Sequence, residues 1–179
     1  APPVSKLAGQ WMDSWLSTFL IGDFVKKNKI KLSDYEKKRY RSYNDFFTRK
    51  IKAEKRPVDI EKGHLVSPCD SRVTVYPIYK NSLFPIKKSL YRVSDLLGND
   101  QAASQFDGGY CVIFRLTVSD YHRYCFPDSG VIAKQIYLPG KFHTVQPIAL
   151  ERYNIYQQNA REYTLYEADN FGFMAQIEV

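Results

Sequence analysis

The sequence has 179 residues, 44% hydrophobic and 25% charged, which is typical of one folded domain with its own core rather than of a disordered or repetitive chain. Its 26 basic and 19 acidic residues give a net charge of +7, which favours an anionic partner. No apolar run reaches the roughly 18–20 residues of a transmembrane helix and no signal peptide is visible, so we expect any membrane contact to be peripheral.

The three cysteines, Cys69, Cys111 and Cys125, are odd in number and form no CxxC pair. This pattern predicts reduced thiols and a protein that faces the cytosol. The aromatic residues lie in apolar runs rather than between lysines and arginines on one face, so we predict no nucleic-acid partner. An anionic membrane is the remaining partner that the charge favours.

Residues 5–31 carry apolar side chains at intervals that keep most of them on one helical face. These are Leu7, Trp11, Trp15, Phe19, Leu20 and Phe24. Lysines follow the stripe at positions 26, 27, 29 and 31. Aromatic rings followed by ammonium groups are typical of an interfacial helix, so Trp11, Trp15 and Phe19 are predicted to contact the membrane. The alternative is that the stripe packs on the protein's own core.

Two segments have the spacing of a helix capping box. Ser33 with Glu36 predicts a helix from residue 34 to about residue 41, and Ser42 with Asp45 predicts a short helix through residue 49. Phe46 and Phe47 are expected to face a sheet. A basic linker ends at Pro57, which divides a helical part, residues 1–56, from a β-rich part, residues 57–179, within one domain overall.

From Leu65 onward, β-branched and aromatic residues predict strands. The predicted strands cover residues 73–78, 110–116, 131–138, 162–167 and 171–179, with a break at Pro77, a turn at residues 80–82 and one helical turn at residues 94–98. The strand at 110–116 is expected to be buried. Few helices are long enough for parallel crossovers, so the fold class is α+β, with N-terminal helices followed by a mainly antiparallel sheet.

Reactive side chains crowd together directly after the strand at 110–116, from Ser119 to Cys125. Here Asp-Tyr-His-Arg-Tyr-Cys-Phe-Pro, at residues 120–127, resembles the Tyr-His-Arg segment of the phosphatidylserine decarboxylases. Three further segments resemble that family in the same order: Phe-Phe-Thr-Arg at 46–49, Ser-Pro-Cys-Asp-Ser-Arg at 67–72, and Gly-Lys-Phe-His-Thr-Val-Gln-Pro at 140–147.

The resemblance implies a pyruvoyl-dependent carboxy-lyase of phospholipid biosynthesis, made as a zymogen that cuts itself at a Gly-Ser bond. The serine becomes a pyruvoyl group, a carbonyl electron sink for decarboxylation. The sequence stops at Val179, just short of the position expected for that bond, so the group is expected on a smaller second chain from the same precursor. The resemblance also implies a homodimer at the cytoplasmic side of the cell membrane.

The resemblance assigns roles to three residues. Asp70 falls on the aspartate that orients the base for self-cleavage, and His122 on the histidine of the decarboxylation step. Cys125 falls where the family has the histidine that is the base, and a thiol is a poor base for a serine hydroxyl. His143 stands where the family more often has an aromatic residue, so we hypothesise that its imidazole replaces that base.

The remaining candidate site residues are predicted to bind the substrate rather than to react with it. Guanidinium groups present paired donors to phosphate or carboxylate oxygens, which makes Arg49, Arg72 and Arg123 candidates alongside Phe46 and Phe47. A structural ion pair is the alternative for each arginine. Among possible metal ligands, His122, Cys125 and Cys69 lack the pair spacing of a zinc site, so no metal is predicted.

Two other functions remain open from the sequence. Relatives with soluble substrates exist, so the substrate is phosphatidylserine or a free amino acid such as tryptophan. Because Cys125 replaces the expected histidine, the other possible function is that of a catalytically silent relative that binds membranes.

Overall fold

The computed structural model describes residues 3–36, 39–87, 89–98, 100–139 and 160–179. Helices lie near the N-terminus and antiparallel strands follow, so the α+β prediction is confirmed. The chain forms two compact units, the first made of Ala1–Ser71 and Leu116–Pro127 and the second of Arg72–Arg115 and Asp128–Val179. The predicted join at Pro57 lies inside the first unit.

The apolar stripe near the N-terminus forms two helices rather than one. Helix α1 spans Pro3–Asp13, a 3₁₀ turn spans Trp15–Thr18, and helix α2 spans Phe19–Lys27. Ser14 breaks the run because its backbone is extended, at φ −76° and ψ 155°. No described helix has both the length and the apolar character needed to cross a bilayer.

Serine hydroxyls stabilise this break. Ser14 Oγ donates to the carbonyl of Trp11 at 2.6 Å, and Ser17 Oγ lies 2.9 Å from the carbonyl of Met12. Such side-chain donors bond the carbonyls that a helix end leaves without partners. Ser17 is fully buried, and its Oγ also accepts the backbone N–H of Tyr43 at 2.8 Å, which ties the break to the next helix.

Helix α3, Tyr43–Phe47, begins as the sequence predicts. Ser42 is its N-cap, and the Ser42 Oγ accepts the backbone N–H of Asp45 at 3.1 Å. Phe46 is fully buried, with the rings of Phe24, Tyr40 and Tyr43 within 6.0 Å of its own. The prediction that Phe46 faces a sheet is therefore wrong, because its neighbours are aromatic rings of the helical segments.

The capping box predicted at Ser33 and Glu36 does not start a helix. A 3₁₀ turn spans Leu32–Asp34, after which Tyr35 forms a β-bridge with Ile51 and the N–H of Glu36 donates to the carbonyl of Lys50 at 2.9 Å. The backbone groups that a helix would use are thus taken by the segment at residues 50–52, which ends in a 3₁₀ turn, Ala53–Lys55. Non-local pairing overrides the local capping signal here.

The second unit contains the strands. These are β1 Arg72–Pro77, β2 Phe84–Ile86, β3 Ser89–Tyr91, β4 Tyr110–Arg115, β5 Gly130–Leu138, β6 Arg161–Ala168 and β7 Gly172–Glu178. They pair antiparallel as β1–β4, β2–β3 and β5–β6–β7. Helix α4, Val93–Leu96, and a 3₁₀ segment, Gln101–Phe106, lie between β3 and β4. Pro77 ends β1 inside the register, opposite Tyr110, instead of breaking the strand early.

One carboxylate joins three parts of this unit. Asp100 accepts from the backbone N–H of Ala102, from the Lys134 ammonium of β5 and from the Tyr163 hydroxyl of β6. These donors lower the pKa of Asp100 to about 2, with the backbone bond from Ala102 the largest cause. Burial, with the bond to Asp100 second, raises the pKa of Tyr163 to about 12. The network lies beside a buried cluster of Leu97, Ala102, Tyr163 and Leu165.

The β1–β4 ribbon leaves apolar side chains exposed. Val73 and Val75, which share one face of β1, are 51% and 54% exposed, and Tyr110 at the start of β4 is 72% exposed. The inner residues of β4 are half-buried, so the prediction of a fully buried strand at 110–116 is wrong. The β-branched composition predicted the strand correctly, but a two-stranded ribbon has too few neighbours to bury both of its faces.

The Ser→Ala substitution should have a large effect at one of the two capping sequences and a small effect at the other. Ser42→Ala removes an acceptor for the first turn of α3 and should lower the free energy of unfolding by about 1 kcal/mol. Ser33→Ala removes a hydroxyl that caps no helix, so its effect should stay within about 0.5 kcal/mol. Urea unfolding followed by circular dichroism measures both. Equal losses would contradict the assignment of Ser42 as the cap.

Candidate functional site

The middle of the segment 116–127 is hydrogen-bonded to residues of the first 71. The backbone N–H of Ile51 donates to the Tyr121 hydroxyl at 3.1 Å, and the Tyr121 ring lies 6.0 Å from the ring of Tyr35. Two residues later, Arg123 Nε donates to the carbonyl of Thr48 at 3.0 Å. These contacts bring the Tyr-His-Arg motif against the end of helix α3.

The end of the same segment is fastened to a second motif. The backbone N–H of Cys125 donates to the carbonyl of Pro68 at 2.9 Å, and the N–H of Val66 donates to the carbonyl of Pro127 at 3.0 Å. Pro68 and Pro127 are both buried. Three of the four sequence motifs, at residues 46–49, 67–72 and 120–127, therefore meet in the first unit, apart from Arg72, which begins β1 in the second.

His122 is held by its ring face. Its centroid lies 4.3 Å from that of Phe47, with an interplanar angle of 33°, and Phe47 in turn stacks on Tyr43. The Nε2 atom of His122 is buried and has no hydrogen-bond partner among the described residues. A buried ring nitrogen without a partner costs free energy, so this atom is suited to bond a group that the described residues do not supply.

Asp70 is paired with an arginine of the same unit. Arg56 Nε donates to Asp70 Oδ1 at 2.8 Å, and Arg56 Nη2 donates to Asp70 Oδ2 at 2.6 Å. This bidentate pair raises the pKa of Arg56, chiefly through the hydrogen bonds to Asp70. Sequence reasoning placed Arg56 in a basic linker and missed the pair, because nothing local marks two residues 14 apart as partners.

Cys125 is exposed, and its thiol acts as a donor. Its Sγ lies 3.7 Å from the carbonyl oxygen of Pro68, so the S–H points at an acceptor. A thiol that donates its proton to a carbonyl is not arranged to take one from a serine. Nearby, burial raises the pKa of the Cys69 thiol, and a hydrogen bond with Ser71 offsets part of this shift.

Two of the three candidate arginines line one cavity. Arg49 and Arg123 open onto a cavity of about 340 Å³ that also touches Glu36, Asp45, Thr48 and Lys50. Arg72 is exposed at the start of β1, opposite Arg115, and is not part of that lining. Phe46 is not part of the lining but contacts one of its residues, since the guanidinium carbon of Arg49 lies 4.8 Å from the Phe46 ring centroid.

The fourth motif, at residues 140–147, lies outside the described residues, and His143 with it. Among the described residues, Asp59, Glu61 and His64 bring three metal-ligating atoms within 4.8 Å of one another. All three side chains are exposed, and His64 Nδ1 lies 2.8 Å from Asp59 Oδ2. These residues form a solvated cluster beyond Pro57, and their exposure is typical of a surface group rather than of a built metal site.

Comparison with known proteins agrees with the motifs that meet in the first unit. The sequence profile described as phosphatidylserine decarboxylase matches residues 43–179. The chain belongs to the phosphatidylserine decarboxylase family. The matched region contains all four motifs, and it begins at Tyr43, the first residue of helix α3.

Relatives named as proenzymes share much of the sequence of this phosphatidylserine decarboxylase family member. Phosphatidylserine decarboxylase proenzyme 2 of Clostridium acetobutylicum is 47% identical over 159 residues, 89% of this chain and 55% of the relative. The proenzymes of Clostridium botulinum and Clostridium tetani are 37% and 38% identical over 98% of this chain and 61% and 60% of the relative. The chain thus spans a little over half the length of the curated relatives it matches.

The three thiols of this decarboxylase-family chain should react at different rates with iodoacetamide near neutral pH. Cys125 should react first because it is exposed, and Cys69 more slowly. Cys111 should react last, since burial raises its pKa from 9.0 to about 11, which leaves about a hundredfold less thiolate. Peptide mass spectrometry after timed quenching gives each rate, and labelling in urea is the control in which the three rates converge. Labelling of folded Cys111 as fast as Cys125 would contradict this structure.

Proposed function

We propose that the protein containing this chain decarboxylates phosphatidylserine to phosphatidylethanolamine, using a pyruvoyl group on a second chain cut from the same precursor. Family membership and the proenzyme names of the relatives support this proposal. The observation that carries it is the buried, unpartnered Nε2 of His122 at the meeting point of three family motifs.

His122 is suited to hold or move a proton at one defined atom. Its ring packs against that of Phe47, which favours one orientation of the imidazole, and Nε2 has no competing partner among the described residues. A histidine changes its charge near physiological pH more readily than any other side chain, which suits general acid–base work. We assign His122 to the proton transfer that accompanies loss of the carboxylate.

The residues of the site fit a pyruvoyl group. An orphaned ring nitrogen beside an aromatic face matches a small planar carbonyl group, and His122 with Phe47 would hold it. When bound to the substrate amine, a pyruvoyl carbonyl withdraws electrons from the α-carbon. The supporting observation on this chain is the arrangement of His122, because the group itself belongs to the proposed second chain.

Self-cleavage needs a base, and the described residues leave that role open to His143. The Cys125 thiol donates to Pro68, and both oxygens of Asp70 are bonded by Arg56. We therefore keep the proposal that His143 takes the serine proton, with Asp70 held in place by Arg56. The second candidate function, an uncut and catalytically silent membrane-binding relative, is favoured by the donor geometry of Cys125.

Replacing each of the three histidines by alanine in the full-length precursor distinguishes the active decarboxylase from the silent relative. His143→Ala should abolish cleavage, because it removes the proposed base. His122→Ala should leave cleavage intact and lower decarboxylation at least about a hundredfold. His64→Ala is the control, since His64 is exposed in the solvated cluster, and it should change neither step. Intact-mass spectrometry detects the cut chain and its pyruvoyl end, and carbon dioxide release measures turnover.

Three outcomes would count against the proposal. A wild-type precursor that stays uncut favours the silent relative. Cleavage of His143→Ala at the wild-type rate removes His143 as the base. Decarboxylation by His122→Ala at the rate of His64→Ala removes His122 from the reaction.

We also propose that the N-terminal helices bind the cytoplasmic surface of an anionic cell membrane. Large apolar side chains project from α1, the 3₁₀ turn and α2, with Leu7 63%, Trp15 75% and Phe19 67% exposed. Lys26 and Lys27 occupy the last turn of α2, and two more exposed lysines, at positions 29 and 31, follow it. Exposed rings beside ammonium groups are suited to the interface of an anionic bilayer. The homodimer stays a prediction from the resemblance.

Removing these rings should weaken membrane binding. The double variant Trp15→Ala, Phe19→Ala should lower the affinity for phosphatidylserine vesicles at least about tenfold, since burial of each large apolar side chain contributes about 1.5–3 kcal/mol. Tyr79→Ala is the control, because Tyr79 is 69% exposed in the second unit. Vesicle sedimentation measures both. Equal affinities of the double variant and the control would exclude the helices as the membrane contact.

A further inference from the structure

Arg49 is a buried cation. Its side chain is 2% exposed, and its guanidinium carbon lies 4.6 Å from the ring centroid of Tyr35 and 4.8 Å from that of Phe46. Contacts between a guanidinium group and aromatic faces are favourable. They do not satisfy its N–H donors, however, because those donors point outward in the plane of the group.

Those donors are poorly satisfied by the described residues. Arg49 Nη2 lies 3.4 Å from the Tyr35 hydroxyl and Nη1 lies 3.5 Å from the carbonyl of Phe46, both at the long limit of hydrogen bonding. The Nε atom is buried with no partner, and Arg49 forms no ion pair with a described carboxylate. Because arginine does not escape burial by losing its proton, such a cation is costly unless an anion compensates it.

A second guanidinium opens onto the same cavity. Arg123 is fixed through its Nε, which donates to the carbonyl of Thr48, and its two terminal nitrogens have no partner among the described residues. A guanidinium group can donate two parallel N–H hydrogen bonds to an oxyanion. Two guanidinium groups around one cavity therefore suit an anion with several oxygens, such as a phosphate.

The acidic residues of the cavity are already engaged. Glu36 Oε1 lies 2.9 Å from the ammonium of Lys50, and Asp45 Oδ2 accepts the backbone N–H of Arg41 at 2.9 Å. The lining thus carries three cationic side chains and two carboxylates, and neither guanidinium group forms an ion pair with a carboxylate among the described residues. A volume of about 340 Å³ lies at the lower end of the roughly 300–1,000 Å³ of small-molecule sites, and exceeds what a lone carboxylate needs.

We propose that this cavity binds the phosphate of a phospholipid headgroup, and that Arg49 and Arg123 are the two residues that contact it. The inference rests on the proposed function for one point, the source of the phosphate; the demand for an anion follows from the burial of Arg49. Arg123 follows His122 directly in the sequence, so one of the two proposed phosphate contacts neighbours the proposed proton-transfer residue.

The test uses the full-length protein and a soluble headgroup, glycerophosphoserine, titrated by calorimetry. Arg49→Gln and Arg123→Gln should each weaken binding at least about tenfold, since each removes charge-assisted hydrogen bonds. Arg41→Gln is the matched control: it makes the same charge change in an exposed residue outside the cavity, and its affinity should stay within about twofold of wild type.

Further arms identify the source of the phosphate. Glycerophosphoserine should bind more tightly than inorganic phosphate and compete with it, and phosphatidylserine vesicles should show the same dependence on Arg123. Tight binding of inorganic phosphate alone would overturn the headgroup assignment.

Affinities of Arg123→Gln and Arg49→Gln equal to that of Arg41→Gln would overturn the site. Arg123 is exposed, so Arg123→Gln decides the question if Arg49→Gln fails to fold. The failures of the two proposals remain distinguishable. A precursor that binds glycerophosphoserine through Arg123 but never decarboxylates contradicts the function and keeps the cavity. An active enzyme whose KM is unchanged in Arg123→Gln contradicts the cavity alone.

Discussion

Hydrogen bonds between residues 116–127 and the first 71 residues hold the candidate site together. Tyr121 accepts from Ile51, Arg123 donates to Thr48 and Cys125 donates to Pro68, so one irregular segment is fixed at three points along its length. The strands on either side of it, β4 and β5, belong to the second unit. The chain thus passes from the second unit to the first at residue 116 and back after residue 127. His122 and Arg123 occupy defined positions because of the three hydrogen bonds.

Local patterns predicted the elements whose stability is itself local. Alternating β-branched and aromatic residues placed β4, β5, β6 and β7 to within about two residues, and the Ser42 cap placed α3. The similar signal at Ser33 did not produce a helix, because Tyr35 and Glu36 pair with the segment at 50–52 instead. The sequence alone does not reveal such pairing, because the residues that stabilise it lie about 15 positions apart.

The features of the candidate site also fall into two groups, those that local sequence reveals and those that depend on distant residues. The cluster from Ser119 to Cys125 is visible in the sequence, and so is the likeness of its motif to a family. The pair between Arg56 and Asp70 and the burial of Arg49 on two rings are not visible, because each needs a partner from another segment. In the structure, Arg49 and Phe46 act together, one as the buried cation and the other as the ring beneath it, whereas the sequence offered them as two separate substrate contacts.

The β1–β4 ribbon has a consequence for handling the protein. Val73 and Val75 form an apolar strip on a two-stranded ribbon, and in the described part of the chain each strand has one edge without a paired neighbour. Open edges beside apolar strips favour strand addition between molecules. We therefore expect this chain on its own to self-associate through that ribbon at high concentration, and a charged residue at position 75 to reduce that association.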